Sequence, residues 1–416
     1  MTSEPLIHEP ATDGMPPRDG GIEVSVPRGP LIGLLLLNTL LNIVTLGFYR
    51  FWARTKVRQR LWTGVSLQGE AFAYTGTGKE LFIGFLVALV ALLPFTGIVA
   101  LINSLVPPTE IFLNVLVQIA IALSVGMLGI VALYFARRYL LTRTRWRGIH
   151  GSQDRVLGAY IAQHLVVYAR LALTAGLVLP WADARLYNYR TGIVWFGTEK
   201  FSAQAEHRPL WLLWVPTWFL LIVGYISLII VMMPFLDWSA QVQAAQAAGE
   251  PPPGPPQDIP VMAWLLPAGL LMLASALYFL YTVRRILSFL GATRLGDMRF
   301  ELTVGFRELI YIPVVGVLIY VVALGLGFGS FALLQWLGGP QSLWMLLAPL
   351  LSIFVILAGI SILSIAWTQV EVLRLIGRHL RLHNIGVLDG LLNRGQPAPT
   401  RGEGLADAIG DIGIGA

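Results

Sequence analysis

The sequence predicts an all-α polytopic membrane protein with six spanning helices, two short re-entrant or interfacial helices, small cytoplasmic β elements and internal repeats. Hydrophobic residues make up 56% of the 416 positions and charged residues only 12%, whereas a soluble domain carries about a quarter charged residues. Several uncharged apolar runs exceed the roughly 20 residues that cross a bilayer. The Lys and Arg residues cluster at the ends of these runs, where such residues set membrane orientation.

Composition also excludes some chemistries. The chain has no cysteine, so disulfides, thiolate metal sites and cysteine nucleophiles are excluded. The net charge of +6 comes from residues at the ends of apolar runs, which favours anionic membrane headgroups over nucleic acid as partners. The first 21 residues lack a basic segment followed by an apolar core, so they predict a disordered tail and not a signal peptide.

Taken in order, the apolar runs fall into two classes. Two are short or interrupted: Leu31–Gly47 has 17 residues, and Val156–Leu179 carries Arg170. Because a mid-membrane Arg costs several kcal/mol, we expect the second of these helices not to cross fully. Six runs are long enough to span, and they cover Leu81–Asn103, Ile111–Phe135, Leu210–Leu236, Val261–Val283, Leu309–Leu334 and Leu343–Trp367.

The segments between the runs have their own patterns. Strand-like pieces are predicted at 22–26, 64–74, 192–201 and within the basic segment 284–307, and an amphipathic helix over 370–382. The linker 240–257 is Ala/Gln-rich and then Pro-rich, which predicts a flexible or polyproline-like connection.

The short runs end in the same motif. Thr45-Leu46-Gly47 is followed by Trp52-Ala53, and Thr174-Ala175-Gly176 is followed by Trp181-Ala182, in register 129 positions later. Each motif joins an apolar helix to a basic segment, which is typical of a membrane interface.

A second spacing occurs three times. Phe72, Phe201 and Phe300 each precede a basic residue by seven positions and a span-opening Leu by nine. This repeat predicts cassettes of a basic segment, a β element and two spans. The predicted organisation is a disordered tail 1–21, a first cassette 22–135, a second cassette 136–283 with a Pro-rich outer loop 237–260, a third cassette 284–367, an amphipathic C-terminal helix 368–394 and a disordered tail 395–416.

The basic residues predict the topology. If neither short helix crosses, the outer loops are 104–110, 237–260 and 335–342, which contain no Lys or Arg, and 28 basic residues lie inside. If both cross, the charges divide almost evenly. The positive-inside rule therefore predicts six spans with both termini cytoplasmic.

Thr45-Leu46-Gly47, Trp52-Ala53 and Lys56-Val57-Arg58 together resemble the signature of the YjgN-like family of bacterial inner-membrane proteins, over roughly residues 22–394. The second copy departs from the signature at Ala175, Leu177-Val178 and Asp183. The resemblance implies a bacterial inner-membrane location and a membrane fold. It supplies no catalytic residues.

One set of candidate residues lies at the predicted interface. Trp52 and Trp181 are typical of an aromatic belt that anchors the protein, and the alternative is a ligand-stacking role. A basic cluster is typical of an orientation signal and anionic-lipid contact, with a specific headgroup pocket as the alternative; its members are Arg54, Lys56, Arg58 and Arg60.

A second set consists of polar residues in the short helices. Asn38 and Asn42, one turn apart, suit either hydrogen bonding between helices or a pore lining. His164 and Arg170 suit either a substrate site or side chains that reach the interface.

No catalytic residue, metal site or cofactor is predicted. His379 and His383 have a spacing that a metal could use, but basic neighbours and the lack of a nearby acid argue against it. The spans contain no paired carboxylates, and Glu80 and Glu308 lie at helix N-termini, where the helix dipole favours them.

Three functions remain open at this level. The favoured one is a non-enzymatic envelope protein that binds lipids or partner proteins through its basic cytoplasmic face, possible partners being anionic lipids, another protein or a second copy of the chain. The second is a transporter or channel with a site at the paired broken helices. The third, a membrane enzyme, lacks a clustered acid, base or nucleophile.

Overall fold

The structure is a computed structural model that describes residues 19–107, 110–251, 253–254, 256, 260, 262–338 and 344–393. The predicted tail 395–416, nearly all of the predicted tail 1–21 and parts of the Pro-rich loop lie outside the described residues. Residues 20 and 21, predicted as tail, belong to the first strand.

The described chain is mostly helical. In chain order, its helices are α1 (Arg28–Val44), α2 (Arg50–Trp62), α3 (Gly78–Leu105), α4 (Ile111–Arg143), α5 (Leu157–Leu173), α6 (Leu179–Gly192), α7 (Trp211–Ala248), α8 (Met262–Gly291), α9 (Phe306–Gly338), α10 (Trp344–Leu363) and α11 (Val370–His379). Six helices are long and apolar enough to cross a membrane, namely α3, α4, α7, α8, α9 and the run from α10 into α11. The predicted six spans are confirmed in this sense, and α1 and α5 are the short apolar helices.

Several helix ends differ from the prediction. The helix α7 continues to Ala248, because the Ala/Gln-rich segment has high helix propensity, and Gly249 ends it with a left-handed backbone. The predicted amphipathic helix 370–382 ends at His379, and Leu380–His383 forms a strand instead. The basic segments that follow the two Thr-x-Gly motifs are themselves helices, α2 and α6.

The largest difference concerns the β elements. The sequence predicts small separate pieces, but the structure joins them in one 11-stranded antiparallel sheet, with the order β3-β2-β1-β11-β10-β9-β8-β7-β6-β5-β4. The strands are β1 (Gly20–Val24), β2 (Val65–Leu67), β3 (Glu70–Ala71), β4 (Ala73–Tyr74), β5 (Thr144–Trp146), β6 (Ile149–Gln153), β7 (Val194–Phe196), β8 (Glu199–Ala203), β9 (Thr293–Leu295), β10 (Met298–Leu302) and β11 (Leu380–His383).

The sheet is nearly closed on itself. Its two terminal strands, β3 and β4, are consecutive in the chain, with Phe72 between them. The strand β3 pairs with β2, and β4 pairs with β5. Trp146, which is 1% exposed, donates from its indole nitrogen to the Leu67 carbonyl at 3.2 Å across this closure. A closed sheet leaves no long unpaired edge, which explains how strands of two to five residues are stable.

The connections give the sheet two distinct rims. The helices α3, α4, α9 and α11 join their strands at one rim, here called the helix rim, and the turns β2–β3, β5–β6, β7–β8 and β9–β10 lie at the other. The helix pair α1–α2 leaves β1 and returns to its neighbour β2, and the pair α5–α6 leaves β6 and returns to its neighbour β7. Each pair thus starts and ends at the same rim of the sheet.

The segment after β11 covers the turn rim. Ile385 and Leu388 are each 3% exposed. Arg147, in the β5–β6 turn, forms an ion pair with Asp389, and Asn393 donates to the carbonyl oxygen of Gly148 at 3.0 Å. This segment thus adds the apolar side chains of Ile385 and Leu388 to the core at the turn rim of the sheet.

The chain folds as two compact units. The first runs to Ile161 and includes Thr191–Ser202 and the residues from Thr293 onward, and therefore nearly the whole sheet; the second comprises Ala162–Arg190 and Ala203–Ala292. In the first, Leu31 of α1 packs in a core cluster with Ala366, which follows α10, and Val370, the first residue of α11. The second has its own core around Trp214, Tyr281 and Phe289.

The spanning helices bury little of their surface within the chain. Between 6% and 18% of the residues in each apolar window are buried within the chain. The helices α7 and α8 pack along each other, as do α9 and α10. The remaining apolar surface is available to lipid.

Candidate functional site

The two Thr-x-Gly motifs fold into the same turn. After α1, the Gly47 amide donates to the Asn42 carbonyl at 2.7 Å; after α5, the Gly176 amide donates to the Leu171 carbonyl at 2.7 Å. The turn requires two left-handed residues, and φ is +51° and +87° in the first copy and +47° and +83° in the second. This hydrogen-bond pattern ends a helix and reverses the chain, so each motif produces a helical hairpin: hairpin A (α1–α2) and hairpin B (α5–α6).

The ends of both hairpins expose apolar side chains. In hairpin A, Val44 is 72% exposed and Leu46 is 89% exposed; in hairpin B, Leu173 is 86% exposed. Large apolar side chains clustered at an exposed tip are typical of a membrane-interacting surface. The tips therefore suit insertion into the boundary between headgroups and acyl chains.

In hairpin A, an aromatic group lies close behind the tip. Trp52 is 36% exposed, and its ring centroid lies 5.7 Å from that of Phe82 on α3 and 6.4 Å from that of Tyr49. Lys56 Nζ donates to the Tyr49 hydroxyl at 2.6 Å and lies 5.3 Å from the Tyr49 ring centroid. An amphipathic ring beside a cation is suited to the headgroup region.

In hairpin B, two guanidinium groups lie close to the ring of Trp181. The Cζ atoms of Arg170, on α5, and Arg185, on α6, lie 4.6 Å and 5.5 Å from the Trp181 ring centroid. Both arginines are exposed, and neither has a carboxylate partner among the residues that the structure describes. Two forked donors at one aromatic ring form an arrangement that can bind a phosphate oxygen from two sides.

The four basic residues predicted as a cluster in hairpin A do not share one exposed face of α2. Lys56 and Arg60 are exposed, and Arg54 is half-buried. Arg58 is only 7% exposed, and it donates to the Tyr74 hydroxyl at 3.4 Å. Arg58 is therefore buried and links α2 to β4 through Tyr74. For Arg54, Lys56 and Arg60, contact with lipid stays a prediction.

Asn38 and Asn42 lie on the inner face of hairpin A. Asn38 is 4% exposed, and its Nδ2 donates to the Ala53 carbonyl of α2 at 3.4 Å, so it bonds between helices. The Oδ1 atoms of both residues are buried and have no partner among the described residues. This orphaned pair of acceptors keeps the substrate-site hypothesis for Asn38 and Asn42 open.

His164 is fully buried in hairpin B. Its Nε2 accepts from Arg190 Nη2 at 2.9 Å, and Arg190 Nε is 3.3 Å away. Since an arginine is always a donor, Nε2 of His164 is the acceptor in this contact. His164 thus belongs to the interior of the hairpin, whereas Arg170, four positions from the tip, is exposed at Trp181.

Two clusters of polar residues escaped the sequence analysis. In the first unit, Glu80 accepts from the Tyr139 hydroxyl and from Arg143 Nη2, both at 2.9 Å. In the second unit, Asp183 accepts from the Tyr281 hydroxyl and Arg285 Nη1, both at 2.7 Å. The spacing Tyr-x3-Arg near the end of α4 and of α8 was the available signal, because residues four apart share a helix face.

The predicted helix-terminal role of Glu80 is seen directly. Thr77 and Glu80 form a capping box at the start of α3, in which each side chain accepts from the other's backbone amide. Glu308, near the start of α9, has its Oε2 atom 2.5 Å from Nε2 of His379.

His383 is held by two acids. Its Nε2 lies 2.9 Å from Glu301 and its Nδ1 lies 3.1 Å from Asp19. Hydrogen bonds to Glu301 and then Asp19 raise the pKa of His383 above its usual value. Within the described ranges, no group of three or more His, Asp or Glu residues is arranged to hold a metal ion.

Comparison with known proteins identifies the family. Residues 27–408 match a family described as bacterial proteins of unknown function (DUF898). The chain is also similar to the inner membrane protein YjgN of Salmonella typhimurium strain LT2, with 39% identity over 62 residues. That match covers 15% of this chain and 16% of the relative. No solved structure matches the chain.

These matches agree with the YjgN-like signature of hairpin A and with the six apolar helices. They support a multi-pass protein of the inner membrane. Because the family match extends over most of its length, the chain belongs to the DUF898 family of bacterial proteins.

Proposed function

We propose that this protein is a non-enzymatic lipid-binding protein of the inner membrane, whose two hairpins bind anionic headgroups at the cytoplasmic surface. The observation that carries the proposal is the sequence of layers in hairpin B. An exposed apolar tip at Leu173 is followed by Trp181 and by the guanidinium groups of Arg170 and Arg185. Apolar, aromatic and cationic layers match the acyl, interfacial and phosphate layers of a leaflet.

The proposed orientation places the sheet and both termini in the cytoplasm. If neither short helix crosses, the outer loops contain no Lys or Arg and 28 basic residues lie on the other side of the six spans. The positive-inside rule supports this direction, and the shared rim to which both hairpins return supports six crossings.

The test measures retained lipid on the full-length protein. Arg170→Gln/Arg185→Gln should lower binding of phosphatidylglycerol to protein in nanodiscs, relative to phosphatidylcholine, by about tenfold, because each charge-assisted contact contributes on the order of 1.5–3 kcal/mol and part of it is replaced by water. Native mass spectrometry after release from the discs counts the bound lipids.

The matched control is Arg294→Gln/Arg299→Gln, which removes the same charge from exposed strand positions. Loss of lipid only in the hairpin variant supports the proposal. Equal loss in both variants would show a diffuse effect of net charge, and no loss in either would exclude a hairpin site.

A transporter is the second candidate, and the orphaned Oδ1 atoms of Asn38 and Asn42 favour it. Solute flux into liposomes that falls with Asn38→Ala and Asn42→Ala, and not with the hairpin B variant, would support transport over lipid binding. The enzyme hypothesis has no such observation in its favour.

A further inference from the structure

The helices α9 and α11 border a cleft, and a tyrosine fills the corresponding place between α3 and α4. The correspondence rests on two fixed points. Glu308 and Glu80 follow Phe300 and Phe72 by eight positions. His379 and Arg143 are each the last helical residue before a strand, β11 or β5, and each pairs with that glutamate. Four residues earlier, Leu375 therefore occupies the place of Tyr139.

A leucine in place of a tyrosine leaves space between α9 and α11. Between α3 and α4, Tyr139 is 2% exposed, packs with Phe51 and Leu81, and its hydroxyl donates to Glu80. Leu375 is shorter and has no hydroxyl. A cleft of about 360 Å³ lies at this place, lined by Arg307, Glu308, Tyr311, Ile312, Glu371, Leu375 and Arg378.

The carboxylates of the cleft already have partners. Glu371 Oε2 lies 2.6 Å from Arg28 Nη2 and 3.8 Å from Arg374, and Glu308 pairs with His379. Arg378 is 3.6 Å from Glu371 with 59% of its side chain exposed. Arg307 is exposed and has no ion-pair partner in the part of the chain that the structure describes. The opening of the cleft therefore carries more positive than negative charge.

The cleft is polar at one end and apolar at the other. Arg307 and Arg378 lie at the ends of their helices next to the sheet, whereas Ile312 and Leu375 lie one turn further along towards the apolar part of the helices. An anionic group bound by two forked guanidinium donors would have an apolar surface beside it.

We infer that this cleft binds an anionic phosphate group, carried by a lipid headgroup or by free inorganic phosphate. The site shares no residue with the hairpins, so it does not depend on the proposed function. At the corresponding place between α3 and α4, the buried side chain of Tyr139 packs against Phe51 and Leu81.

The test uses full-length protein in nanodiscs that contain a phosphatidylglycerol analogue with a photoactivatable headgroup. The expected labelled peptides contain residues 306–312 and 370–379. Leu375→Tyr introduces the side chain that is found at position 139. It should reduce this labelling by about tenfold or more, because the tyrosine ring fills the cleft and its hydroxyl can donate to Glu308. Arg307→Gln/Arg378→Gln should reduce it similarly without altering the core.

Lys79→Gln is the control, since Lys79 is the counterpart of Arg307 in the first cassette; it should leave the labelling unchanged. Competition by added inorganic phosphate would identify free phosphate as a sufficient ligand, and labelling that persists would identify the lipid. Labelling of these peptides that is unchanged in both Leu375→Tyr and Arg307→Gln/Arg378→Gln would overturn the inference. The hairpin B variant, Arg170→Gln/Arg185→Gln, changes no residue of the cleft. The effect of that variant on lipid binding and the effect of the cleft variants on labelling are therefore independent results.

Discussion

Replacing Asp183 with alanine should destabilise the second compact unit strongly. Asp183 accepts from both Tyr281 and Arg285 at 2.7 Å, and only 20% and 27% of the Asp183 and Arg285 side chains are exposed. Removing one partner of a buried pair costs about 3–5 kcal/mol, and the partial exposure here reduces the expected loss to about 2–3 kcal/mol. Thermal unfolding of purified protein, followed by tryptophan fluorescence, measures the change.

The double variant Asp183→Ala/Arg285→Met separates the mechanism from a general effect. If the cost arises from the unpaired guanidinium, this variant should recover most of the lost stability. Asp237→Ala, which removes an exposed aspartate on α7, should have little effect. An equal loss in the double variant would contradict the explanation.

Replacing Glu371 with glutamine should produce a loss of similar or larger size in the first unit. The Glu371 carboxylate lies 2.6 Å from Arg28, 3.6 Å from Arg378 and 3.8 Å from Arg374, and its side chain is 14% exposed. Without its charge, three guanidinium groups face one another with no counter-charge. We expect a loss of about 3 kcal/mol in the free energy of unfolding.

Arg28 begins α1, so the loss should be accompanied by faster hydrogen exchange in that helix. Added salt should recover part of the stability of Glu371→Gln by screening the repulsion. Glu70→Gln, at an exposed strand position, is the control. A melting temperature in Glu371→Gln equal to that of the wild type would contradict the role assigned to Glu371.

Features that depend on neighbouring residues could be predicted from the sequence. Apolar length gives the six spans, Glu80 marks the start of α3, and the Thr-x-Gly motifs end the two short helices. Each of these signals is complete within about 20 residues. The family assignment also followed from the local signature at residues 45–58.

The closed sheet could not be read in the same way. Its pairing joins Gly21 to Arg381, 360 positions apart, through strands of five and four residues. No local pattern specifies such a partner. One physical argument was available, however: an isolated two-stranded hairpin is at best marginally stable, so several short hairpins on the same side of a membrane would be expected to pair with one another.

The roles of single charged residues depended on tertiary contacts. Arg58 and Arg60 are two positions apart in the same basic run, yet Arg58 is buried against Tyr74 and Arg60 is exposed. Likewise, His164 suggested an intramembrane functional group, but Arg190 holds its Nε2 within hairpin B. Side chains two positions apart point to different faces of a helix, and only the packing shows which face is buried.

We propose that the hairpins enter the membrane without crossing it, which leaves the whole sheet on one side. Single cysteines in this cysteine-free chain test it most directly, at the exposed positions Gln68, Thr198 and Asp297 in three turns of the sheet and at Ala248 at the far end of α7. Intact cells are treated with a membrane-impermeant thiol reagent. We expect labelling at Ala248 alone. Labelling at Thr198 but not at Gln68 would mean that hairpin B crosses the membrane, against this proposal.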